Sequence, residues 1–376
     1  MRYLRDADIN GKTVFLRVDW NVPLKDGDIS NDNRIKATIP TIEYLQSKEC
    51  KIIIGTHLGR PDGEIVPSLS TRKLAKRFSE LHHSKITATD YVIESAVRQE
   101  VNNLESGDIL VLGNLRWYAE EETNNLAFAH VLASYTEMYV NDAFAVSHRA
   151  HASVEGITNF LPGYAGLLLE KEVKMLSTLA ESPRHPFIIL LGGAKIKDKI
   201  GLIKRFVTTT DKILIGGATA NTFSFFKGQE IGASFYEPGL ENTVESIIEI
   251  CGDKLVLPVD SVKKVDQDGR SSILDIGPQT IENFGQYISS AKTIFWNGNM
   301  GFSELKEYEI GTAKIAEKIR ANQYTKIVAG GDTVGFLDEH QMLNDFTFVS
   351  TGGGAALEFL AGVELPGLKS LGYYDK

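Results

Sequence analysis

Short apolar runs that end on glycine or on a polar residue recur along the whole chain and alternate with segments of helical period. Four runs lie in the first half of the sequence, at 13–19, 51–57, 109–114 and 138–144. Six more follow in the second half, at 187–193, 212–218, 254–260, 293–298, 326–331 and 346–353. Strands that alternate with helices form parallel sheets covered by crossover helices. The pattern therefore predicts an α/β protein.

The length of the chain indicates that these strands and helices belong to two domains. With 376 residues and 43% hydrophobic residues, the chain is too long for one comfortable core. We expect two Rossmann-like parallel-sheet domains that face a cleft, one formed by 1–168 and the other by 183–355. Apolar residues recur at helical spacing over 169–182, before Pro183 and Pro186. This segment predicts a helix that joins the domains as a hinge, and 356–376 remain as a C-terminal segment.

Charge and cysteine content exclude several classes of protein. The net charge is −9, and neither half concentrates positive charge, so we expect no nucleic-acid partner. No apolar run approaches a membrane span, and the first residues lack the apolar core of a signal peptide. Only Cys50 and Cys251 occur, so a disulfide framework is not expected. These features predict a cytoplasmic protein without a membrane partner.

Arginines and other polar residues follow the predicted strands of the first half. They are Arg17, Asp19, Asn21, Arg34, His57, Arg60, Arg116, His148 and Arg149. A single arginine in a loop is usually a solvated surface charge. Five groups that each follow a strand favour convergence, because carboxyl ends of parallel strands lie at one edge of a sheet. Guanidinium groups match phosphate and carboxylate oxygens, so the pattern indicates a small, multiply anionic ligand.

The histidines of "VNDAFAVSHRAHAS" permit three interpretations. His148 and His151 are three residues apart, which would place them on one face of a helix, as in a metal site. Zinc needs further ligands, and neither cysteine is close in the sequence. A structural polar cluster is the second interpretation. The third, which we favour, is an anion site that includes Arg149.

Glycine-rich turns dominate the second half. "LLGGAKIKDKIG" follows a strand and opens a helix, with Lys195 and Lys199 four residues apart and so predicted on one helical face. "GGATANTF", "AGGDTVGF" and "STGGGAALEFL" also lead from glycines into helices. Their N–H groups could bind phosphates, or the glycines could form tight turns. Asp332 fits a magnesium ligand or, before Thr333, a helix N-cap.

Eight motifs occur in the order in which phosphoglycerate kinases carry them, so the chain resembles that family over nearly its whole length. They are "RVDWNVP", "THLGRP", "VNDAFAVSHRAHAS", "LGGAKIKDKI", "DIGPQT", "WNGNMGFSE", "GGDT" and "STGGGAALEFLAGVELPG". The resemblance implies a monomer whose amino-terminal domain binds 3-phosphoglycerate or 1,3-bisphosphoglycerate. Its carboxy-terminal domain would bind ADP or ATP with Mg²⁺, and its last residues would return to the amino-terminal domain. The activity implied is reversible phosphoryl transfer between these substrates after domain closure.

The resemblance also implies roles for individual residues. The phosphoglycerate would be held by Asp19, Asn21, Arg34, His57, Arg60, Arg116 and Arg149. The nucleotide would be bound by Lys195, Lys199, Asn297, Glu304, Gly331, Asp332 and Thr333, with Asp332 as the metal ligand. The transferring group would be surrounded by Arg34, Lys195, Gly352 and Gly353. The attacking carboxylate is ionised at neutral pH, so no general base is needed, and His57 and His148 are then ligand donors.

Three stretches depart from the family pattern. Gly113 stands where a glutamate is usual, so the side chain that supports Arg116 is expected to differ. Asn299 replaces a proline, so its loop is expected to be less rigid. "GGATANTF" replaces a stretch richer in glycine and methionine. A non-catalytic scaffold would have lost a charged group that the chemistry needs, and none is lost. A dinucleotide-dependent oxidoreductase would need a G-x-G-x-x-G turn, whereas the first strand runs into "RVDWNVP".

Overall fold

The computed structural model describes residues 1–375, which form two compact units. Unit 1 consists of residues 1–174 and the chain from Glu364 onward, and unit 2 consists of Met175–Val363. Each unit is built on one six-stranded sheet whose strands are all parallel. Within the described residues, no helix combines the length and apolar character that a membrane crossing requires.

Unit 1 contains eight strands and five helices before the unit boundary. The strands are β1 (Thr13–Arg17), β2 (Leu24–Lys25), β3 (Asp28–Ile29), β4 (Lys51–Gly55), β5 (Ile86–Ala88), β6 (Ile109–Val111), β7 (Met138–Asn141) and β8 (Gly163–Ala165). The helices are α1 (Asn33–Ser47), α2 (Arg72–His82), α3 (Ser95–Asn102), α4 (Ala119–Glu122) and α5 (Leu126–Ala133). Strands β2 and β3 form a separate short hairpin.

The sheet of unit 1 has the order β5-β6-β4-β1-β7-β8. The chain winds outward from β1 through β4 and then returns across β1 to β7, so the winding reverses beside β1. Ligands of open α/β sheets bind at such reversal points, outside the carboxyl ends of the strands. A ligand site is therefore expected at the loop that follows Arg17, the last residue of β1.

The core of unit 1 explains why these segments fold as they do. Strands β1 and β4 are buried on both faces, as expected for the centre of a parallel sheet. Helix α1 buries Ile35, Ile42 and Leu45, which recur at helical spacing, and these side chains join Trp20 and Phe78 in one apolar cluster. The covered sheet leaves its strand ends as the place where polar side chains collect.

Unit 2 contains eight strands and seven helices. The strands are β9 (Phe187–Leu191), β10 (Lys212–Ile215), β11 (Leu255–Val256), β12 (Ser261–Val265), β13 (Ser271–Ile276), β14 (Thr293–Asn297), β15 (Thr325–Ala329) and β16 (Phe348–Val349). The helices are α7 (Lys197–Phe206), α8 (Gly217–Phe226), α9 (Glu241–Cys251), α10 (Pro278–Ser290), α11 (Ile310–Ala321), α12 (Gly331–Glu339) and α13 (Gly354–Leu360), preceded by α6 (Leu167–Glu181), which crosses the unit boundary.

The sheet of unit 2 has the order β11-β10-β9-β14-β15-β16, so its first strand is central and the winding reverses between β9 and β14. This is the doubly wound order of dinucleotide-binding folds. The predicted α/β class is confirmed, and all ten predicted runs contain strands of the two sheets. The two-stranded β12-β13 sheet and the edge strands β5 and β8 were not predicted, because they are short or largely exposed and carry little apolar signal.

The two segments that link the units are held in unit 1 by hydrogen bonds from their backbone N–H groups. Asp142 Oδ1 accepts from the N–H groups of Leu168 and Leu169 (2.9 and 3.1 Å) at the start of α6. The role of α6 as a hinge stays a prediction. After Glu364 the chain forms α14 (Pro366–Lys369), where the Gly367 N–H donates to Ser147 O at 2.9 Å. This last segment therefore packs within unit 1.

Candidate functional site

In unit 1, a hydrogen-bonded network joins the loops that follow β1 and β4 to helix α1. Asp19 Oδ2 accepts from Arg34 Nη1 at 2.6 Å, and Asp19 is buried. Asn21 Oδ1 accepts from the Gly59 N–H at 2.9 Å, and the Asn21 carbonyl accepts from Arg34 Nη1 at 3.3 Å. Four of the predicted residues therefore lie in or beside one network, since His57 Nδ1 is 3.7 Å from Asp19 Oδ1.

Arg116 and Arg149 lie near this network. The Arg116 side chain is 6% exposed, and its Nη1 donates to the Gly59 carbonyl at 3.2 Å. Burial lowers the pKa of Arg116; the carboxylate of Glu122 raises it, and the positive charges of Arg17 and Arg149 lower it. Because guanidinium charges repel each other, their convergence costs free energy, which nearby carboxylates and a bound anion offset. Such a cluster is suited to binding an anion.

The predicted arginines differ in exposure. Arg149 and Arg60 are exposed. The Arg60 guanidinium makes no hydrogen bond or ion pair with any described residue. It follows Gly59, whose N–H and carbonyl bond to Asn21 and Arg116, so its backbone lies at the edge of the network. The structure thus brings six predicted residues together and leaves Arg60 attached only through its backbone.

The histidines His148 and His151 do not share a helical face, which corrects the geometry expected from their spacing. A short 3-10 helix ends at Val146, and a turn follows. No group of three potential metal ligands among histidine, cysteine, aspartate and glutamate occurs in residues 1–375. Burial and the positive charge of Arg149 lower the pKa of both histidines. They are therefore neutral polar groups in a cationic surrounding, which disfavours a bound metal cation.

A buried layer supports this cluster, and the sequence did not reveal it. Arg17 is fully buried, and its Nε donates to Ser153 Oγ at 2.7 Å while Nη2 lies 3.8 Å from Glu121 Oε1. Glu121 accepts from both the N–H and the hydroxyl of Ser153 and lies 3.7 Å from His151 Nδ1. In the sequence, Glu121 belongs to the run "AEEE", which has the pattern of a solvated helix. Only the fold shows it as the counter-ion of Arg17.

The departure at Gly113 has a structural counterpart. A Cβ at this position would lie 2.4 Å from the Asp90 carbonyl oxygen, so no side chain fits here without moving the backbone. The carboxylate that pairs with Arg116 comes instead from Glu122, whose Oε1 is 3.3 Å from Arg116 Nε. Arg116 therefore keeps an acidic partner, supplied by helix α4.

We expect the stability of unit 1 to fall in acid through His151. Burial and the charges of Arg17, Arg116 and Arg149 lower its pKa to about 3, whereas an unfolded histidine titrates near its ordinary value of about 6.5. Between these values the unfolded chain binds more protons, so the free energy of unfolding decreases as the pH falls from about 6.5 towards 3. His151→Gln should make this decrease smaller, as measured by urea unfolding at several pH values. An NMR titration midpoint near 6.5 for His151 would contradict the prediction.

In unit 2, a cavity of about 430 Å³ opens at the carboxyl ends of β9 and β14. Its walls include four residues from the glycine-rich turns and the loop after β14: Gly193, Asn299, Glu304 and Asp332. Glu304 and Asp332 are exposed. The cavity lies beside the point where the winding of the sheet reverses, which is where open α/β sheets bind nucleotides.

The glycines around the cavity are required by close backbone contacts. A Cβ at Gly192 would lie 2.1 Å from the Asn299 carbonyl oxygen, and one at Gly298 would lie 2.3 Å from the Gly192 carbonyl oxygen. The N–H groups of Gly193 and Gly217 donate to Asn299 O and Met300 O at 2.8 Å. Because these two N–H groups already bond to carbonyl oxygens of the protein, they are not available to a phosphate, and these glycines form tight turns.

The two lysines have different environments, and the predicted shared helical face is wrong. Helix α7 begins at Lys197, so Lys195 lies before it and is exposed. Lys199 is buried, and its Nζ donates to the Lys195 carbonyl at 3.0 Å. Burial lowers the pKa of Lys199, while the carboxylates of Asp198, Glu237 and Asp332 raise it. Lys199 is thus a buried ammonium close enough to Asp332 to interact with it.

The loop after β14 is held on both sides by hydrogen bonds. Asn297 Nδ2 donates to the Ala329 carbonyl at 2.8 Å, and Thr333 Oγ1 accepts from the Gly298 N–H at 2.8 Å. The Met300 N–H donates to Thr312 Oγ1 at 3.0 Å. These bonds and the contact of Gly193 with Asn299 fix the loop without a proline. Asn297 and Thr333 therefore have structural bonds in addition to any role in binding.

The start of helix α12 corrects the N-cap interpretation of Asp332. Helix α12 begins at Gly331, and its N-cap is Gly330, with φ of 107° and no side-chain bond. Asp332 is the second helical residue and lies in the first turn, where a negative charge is favourable. A Cβ at Gly331 would meet nothing within 4 Å. Internal packing therefore explains neither the glycine at 331 nor the carboxylate at 332.

A third glycine turn precedes α13. The Gly352 N–H donates to Ser350 Oγ at 3.0 Å, and Gly353, with φ of +51°, is the N-cap of the helix. The positive φ explains Gly353, since other residues rarely adopt it. A Cβ at Gly354 would meet nothing within 4 Å, so its internal packing does not require glycine. The turn leaves the backbone accessible at the start of the helix.

Comparison with known proteins identifies the family of the chain. The profile of the family "Phosphoglycerate kinase" matches residues 4–363. The chain is 44% identical to the phosphoglycerate kinase of Dictyoglomus turgidum, covering 98% of this chain and 97% of the relative. It is 42% identical to that of Coprothermobacter proteolyticus, and the match covers 99% of this chain and 98% of the relative. The solved phosphoglycerate kinase of Coxiella burnetii has a similar fold, with a TM-score of 0.85 and 32% identity over 100% of this chain and 99% of the other. That of Pyrococcus horikoshii OT3 has a TM-score of 0.88 and 33% identity over 99% of this chain and 98% of the other. Sequence, fold and profile agree, and the chain belongs to the phosphoglycerate kinase family.

Proposed function

We propose that this chain catalyses reversible phosphoryl transfer between 1,3-bisphosphoglycerate and ADP, giving 3-phosphoglycerate and ATP. The observation that carries the proposal is the cluster of Arg34, Arg116 and Arg149 around neutral histidines in unit 1 of a family member. Phosphoglycerates carry a phosphate and a carboxyl group, and guanidinium groups bind both.

On the phosphoglycerate side, each side chain has a distinct task. Arg116 and Arg149 bind the phosphate of the ligand, together with Arg60 from the exposed loop. Asp19 and Asn21 position Arg34 and the ligand, as their bonds to Arg34 support. His57 is buried and neutral, since burial and the charges of Arg17, Arg116 and Arg34 lower its pKa. It therefore donates or accepts one hydrogen bond without adding charge.

On the nucleotide side, the cavity of unit 2 receives ADP or ATP. Lys195 and Lys199 bind phosphate oxygens, and the first turns of α12 and α13 supply backbone N–H groups from Gly331 and Gly353, while the Gly352 N–H is bonded to Ser350 Oγ and shapes the turn. Glu304, exposed on the cavity wall, accepts hydrogen bonds from the ribose. Asn297 and Thr333 hold the loop beside the phosphates.

The donor set of the cavity fits Mg²⁺. This ion prefers one or two carboxylates and completes its coordination with phosphate and water oxygens. Asp332 is an exposed carboxylate on the cavity wall, and Lys199 interacts with it electrostatically. Bound with the nucleotide, Mg²⁺ would neutralise phosphate charge. Asp332 would hold the ion, and Lys199 would limit the negative charge at this position.

The chemistry needs positioning and charge stabilisation more than proton transfer. The oxygen that attacks ATP belongs to a carboxylate, which is ionised near neutral pH, so no general base is required. The transferring phosphoryl group carries its charge on three equatorial oxygens, which Arg34, Lys195 and the Gly352–Gly353 turn stabilise. We also propose that α6 is the hinge of the closure that brings the substrates together in line.

The expected context of the enzyme is the cytoplasm, where it acts as a monomer in glycolysis. Cys50 and Cys251 are free and buried, which suits a reducing compartment. Its partners are its small-molecule substrates, and the net charge of −9 does not favour nucleic acid.

The test is phosphoryl transfer by the purified chain with 3-phosphoglycerate and magnesium ATP. Glyceraldehyde-3-phosphate dehydrogenase couples product formation to NADH oxidation. We expect a loss of NADH absorbance that requires the protein, 3-phosphoglycerate, ATP and Mg²⁺ together. A folded sample that binds ADP but shows no turnover would reject the proposal.

Replacement of Asp332 by asparagine should raise the Mg²⁺ concentration needed for half-maximal activity by roughly tenfold or more, because one of the few charged metal ligands is lost. The matched control is Asp338→Asn, at the other end of the same helix, which should leave the Mg²⁺ dependence unchanged. The measurement is activity against free Mg²⁺ at fixed ATP. An unaltered Mg²⁺ requirement in Asp332→Asn would remove Asp332 from the metal site.

A further inference from the structure

Arg17, the last residue of β1, has no task in the proposed mechanism, although it is a fully buried charge in unit 1. Each nitrogen of its guanidinium group has a partner. Nε donates to Ser153 Oγ at 2.7 Å, Nη1 donates to the Val18 carbonyl, and Nη2 lies 3.4 Å from His57 Nδ1 in hydrogen-bond geometry. These contacts determine the orientation of the guanidinium group before any ligand binds.

Glu121 supplies the negative charge that balances Arg17 inside the fold. Its Oε1 lies 3.8 Å from Arg17 Nη2, and both side chains are fully buried. The carboxylate also accepts from the hydroxyl of Ser153 at 2.6 Å and from the Ser153 N–H at 2.9 Å. A buried ion pair is stable only when further hydrogen bonds satisfy its members. Arg17 is therefore held in one position by the residues around it.

The contact between Arg17 and His57 determines which ring nitrogen of His57 carries the proton. Burial and the charges of Arg17 and Arg116 lower the pKa of His57 well below its ordinary value, so the ring is neutral and has one N–H. An arginine side chain has donors only, so Nδ1 must accept in the contact with Nη2. The single proton of His57 therefore belongs on Nε2.

Asp19 would favour the opposite tautomer, because its Oδ1 lies 3.7 Å from His57 Nδ1. That distance is longer than a hydrogen bond. Oδ1 already accepts from the Asn21 N–H at 3.1 Å, and Oδ2 accepts from Arg34 Nη1 at 2.6 Å. The closer contact of Nδ1 is with Arg17. Nε2 of His57 makes no hydrogen bond with residues 1–375 and is not completely buried, so a ligand can reach it.

We propose that Arg17 is a positioning residue that keeps the proton of His57 on Nε2, where it donates a hydrogen bond to an oxygen of the phosphoglycerate. This inference rests on the proposed function and deepens its phosphoglycerate site. The phosphate and carboxylate groups of the ligand present acceptor oxygens, which a bare ring nitrogen would repel and an N–H attracts. Arg17 thus acts on the ligand through His57.

NMR of the full chain with isotopically labelled histidine nitrogens tests the proposal at neutral pH without any substrate. We expect a neutral His57 ring protonated on Nε2, whose signals are identified by their absence in His57→Gln. A ring protonated on Nδ1 would show that Asp19 controls the proton and would overturn the inference, as would a doubly protonated ring. Because this measurement needs no turnover, its outcome is separate from that of the kinase assay.

A double variant assigns the effect to Arg17. Arg17→Met combined with Glu121→Gln removes both members of the buried ion pair, so no uncompensated charge remains inside the fold. We expect the form of His57 protonated on Nδ1 to appear, because Asp19 then has no competitor for this nitrogen. The dissociation constant of 3-phosphoglycerate should rise roughly 10- to 100-fold, as one hydrogen bond to a charged group is lost. An unchanged proton position would reject the role of Arg17.

The matched control is Arg98→Met. Arg98 Nη2 also donates to a serine hydroxyl, Ser134 Oγ at 2.9 Å, but at an exposed site. This variant should keep both the tautomer of His57 and the affinity for 3-phosphoglycerate. The affinity for ADP should be unchanged in the double variant and in the control, because ADP is assigned to unit 2.

Two single variants of His57 keep the proposal testable if the double variant does not fold. Glutamine places its amide donor close to the position of Nε2, whereas asparagine places its amide close to that of Nδ1. Calorimetry should therefore show tighter binding of 3-phosphoglycerate to His57→Gln than to His57→Asn. Equal affinities, or the reverse order, would show that a donor at Nε2 is not what the ligand needs.

Discussion

Replacement of Arg34 by alanine is expected to lower kcat by roughly 100- to 1000-fold, the usual effect of removing one group that stabilises transition-state charge. Arg34 is held in place before any ligand binds, because its Nη1 bonds to Asp19 Oδ2 at 2.6 Å and to the Asn21 carbonyl. The affinity for ADP should not change, since ADP is assigned to the cavity of unit 2. The coupled assay measures kcat, and calorimetry measures ADP binding.

Two variants make the Arg34 prediction specific. Arg34→Lys keeps the positive charge but loses the second donor, so it should recover only part of the activity. Arg72→Ala removes another arginine of unit 1 whose Nε bonds to an aspartate at the same 2.6 Å, but at an exposed site. It should leave kcat unchanged, because exposed ion pairs contribute little. Unchanged kcat in Arg34→Ala would remove Arg34 from the mechanism.

Replacement of Gly192 by alanine is expected to destabilise unit 2 by about 3 kcal/mol and to weaken ADP binding. The added Cβ would lie 2.1 Å from the Asn299 carbonyl oxygen and 2.6 Å from that of Gly298. Both atoms are backbone, so the loop after β14 must move and the cavity wall moves with it. Hydrogen exchange measured by mass spectrometry reports the opening of unit 2 separately from unit 1.

Gly335→Ala is the matched control for Gly192→Ala. Gly335 lies in α12, where an added Cβ would meet nothing within 4 Å and no positive φ opposes it. Alanine should stabilise this helix by about 0.5 to 1 kcal/mol, because glycine loses more backbone entropy on folding. If hydrogen exchange in unit 2 is as slow in Gly192→Ala as in the wild type, the prediction is wrong, because the loop then relaxes without loss of stability.

Much of the fold could be predicted because strand signals are local. A buried parallel strand reads as an apolar run, and all ten predicted runs contain sheet strands. The edge strands β5 and β8 were missed because pairing with a neighbour, rather than an apolar run, defines them. The same limit applies to helix starts. The spacing of Lys195 and Lys199 suggested one helix face, whereas α7 begins only at Lys197.

The site could be predicted only as far as residue type and position at a strand end reveal it. Arg116 was found because it follows a strand that the pattern identifies, and Arg34 because it follows a loop rich in asparagine and aspartate, where α1 begins. The pairing of Arg17 with Glu121 was not, because 104 positions separate the two residues and "AEEE" resembles a solvated helix.

The sequence by itself determined the α/β class, the order of the strands along the chain and the separation of an arginine-rich half from a glycine-rich half. These properties depend on residue type and short-range periodicity, which each segment carries alone. Only the tertiary structure decided the strand order in each sheet, the neutral state of His151 and the partner of each buried charge. Those depend on burial and on contacts between distant segments, which set the local dielectric and the available hydrogen-bond partners.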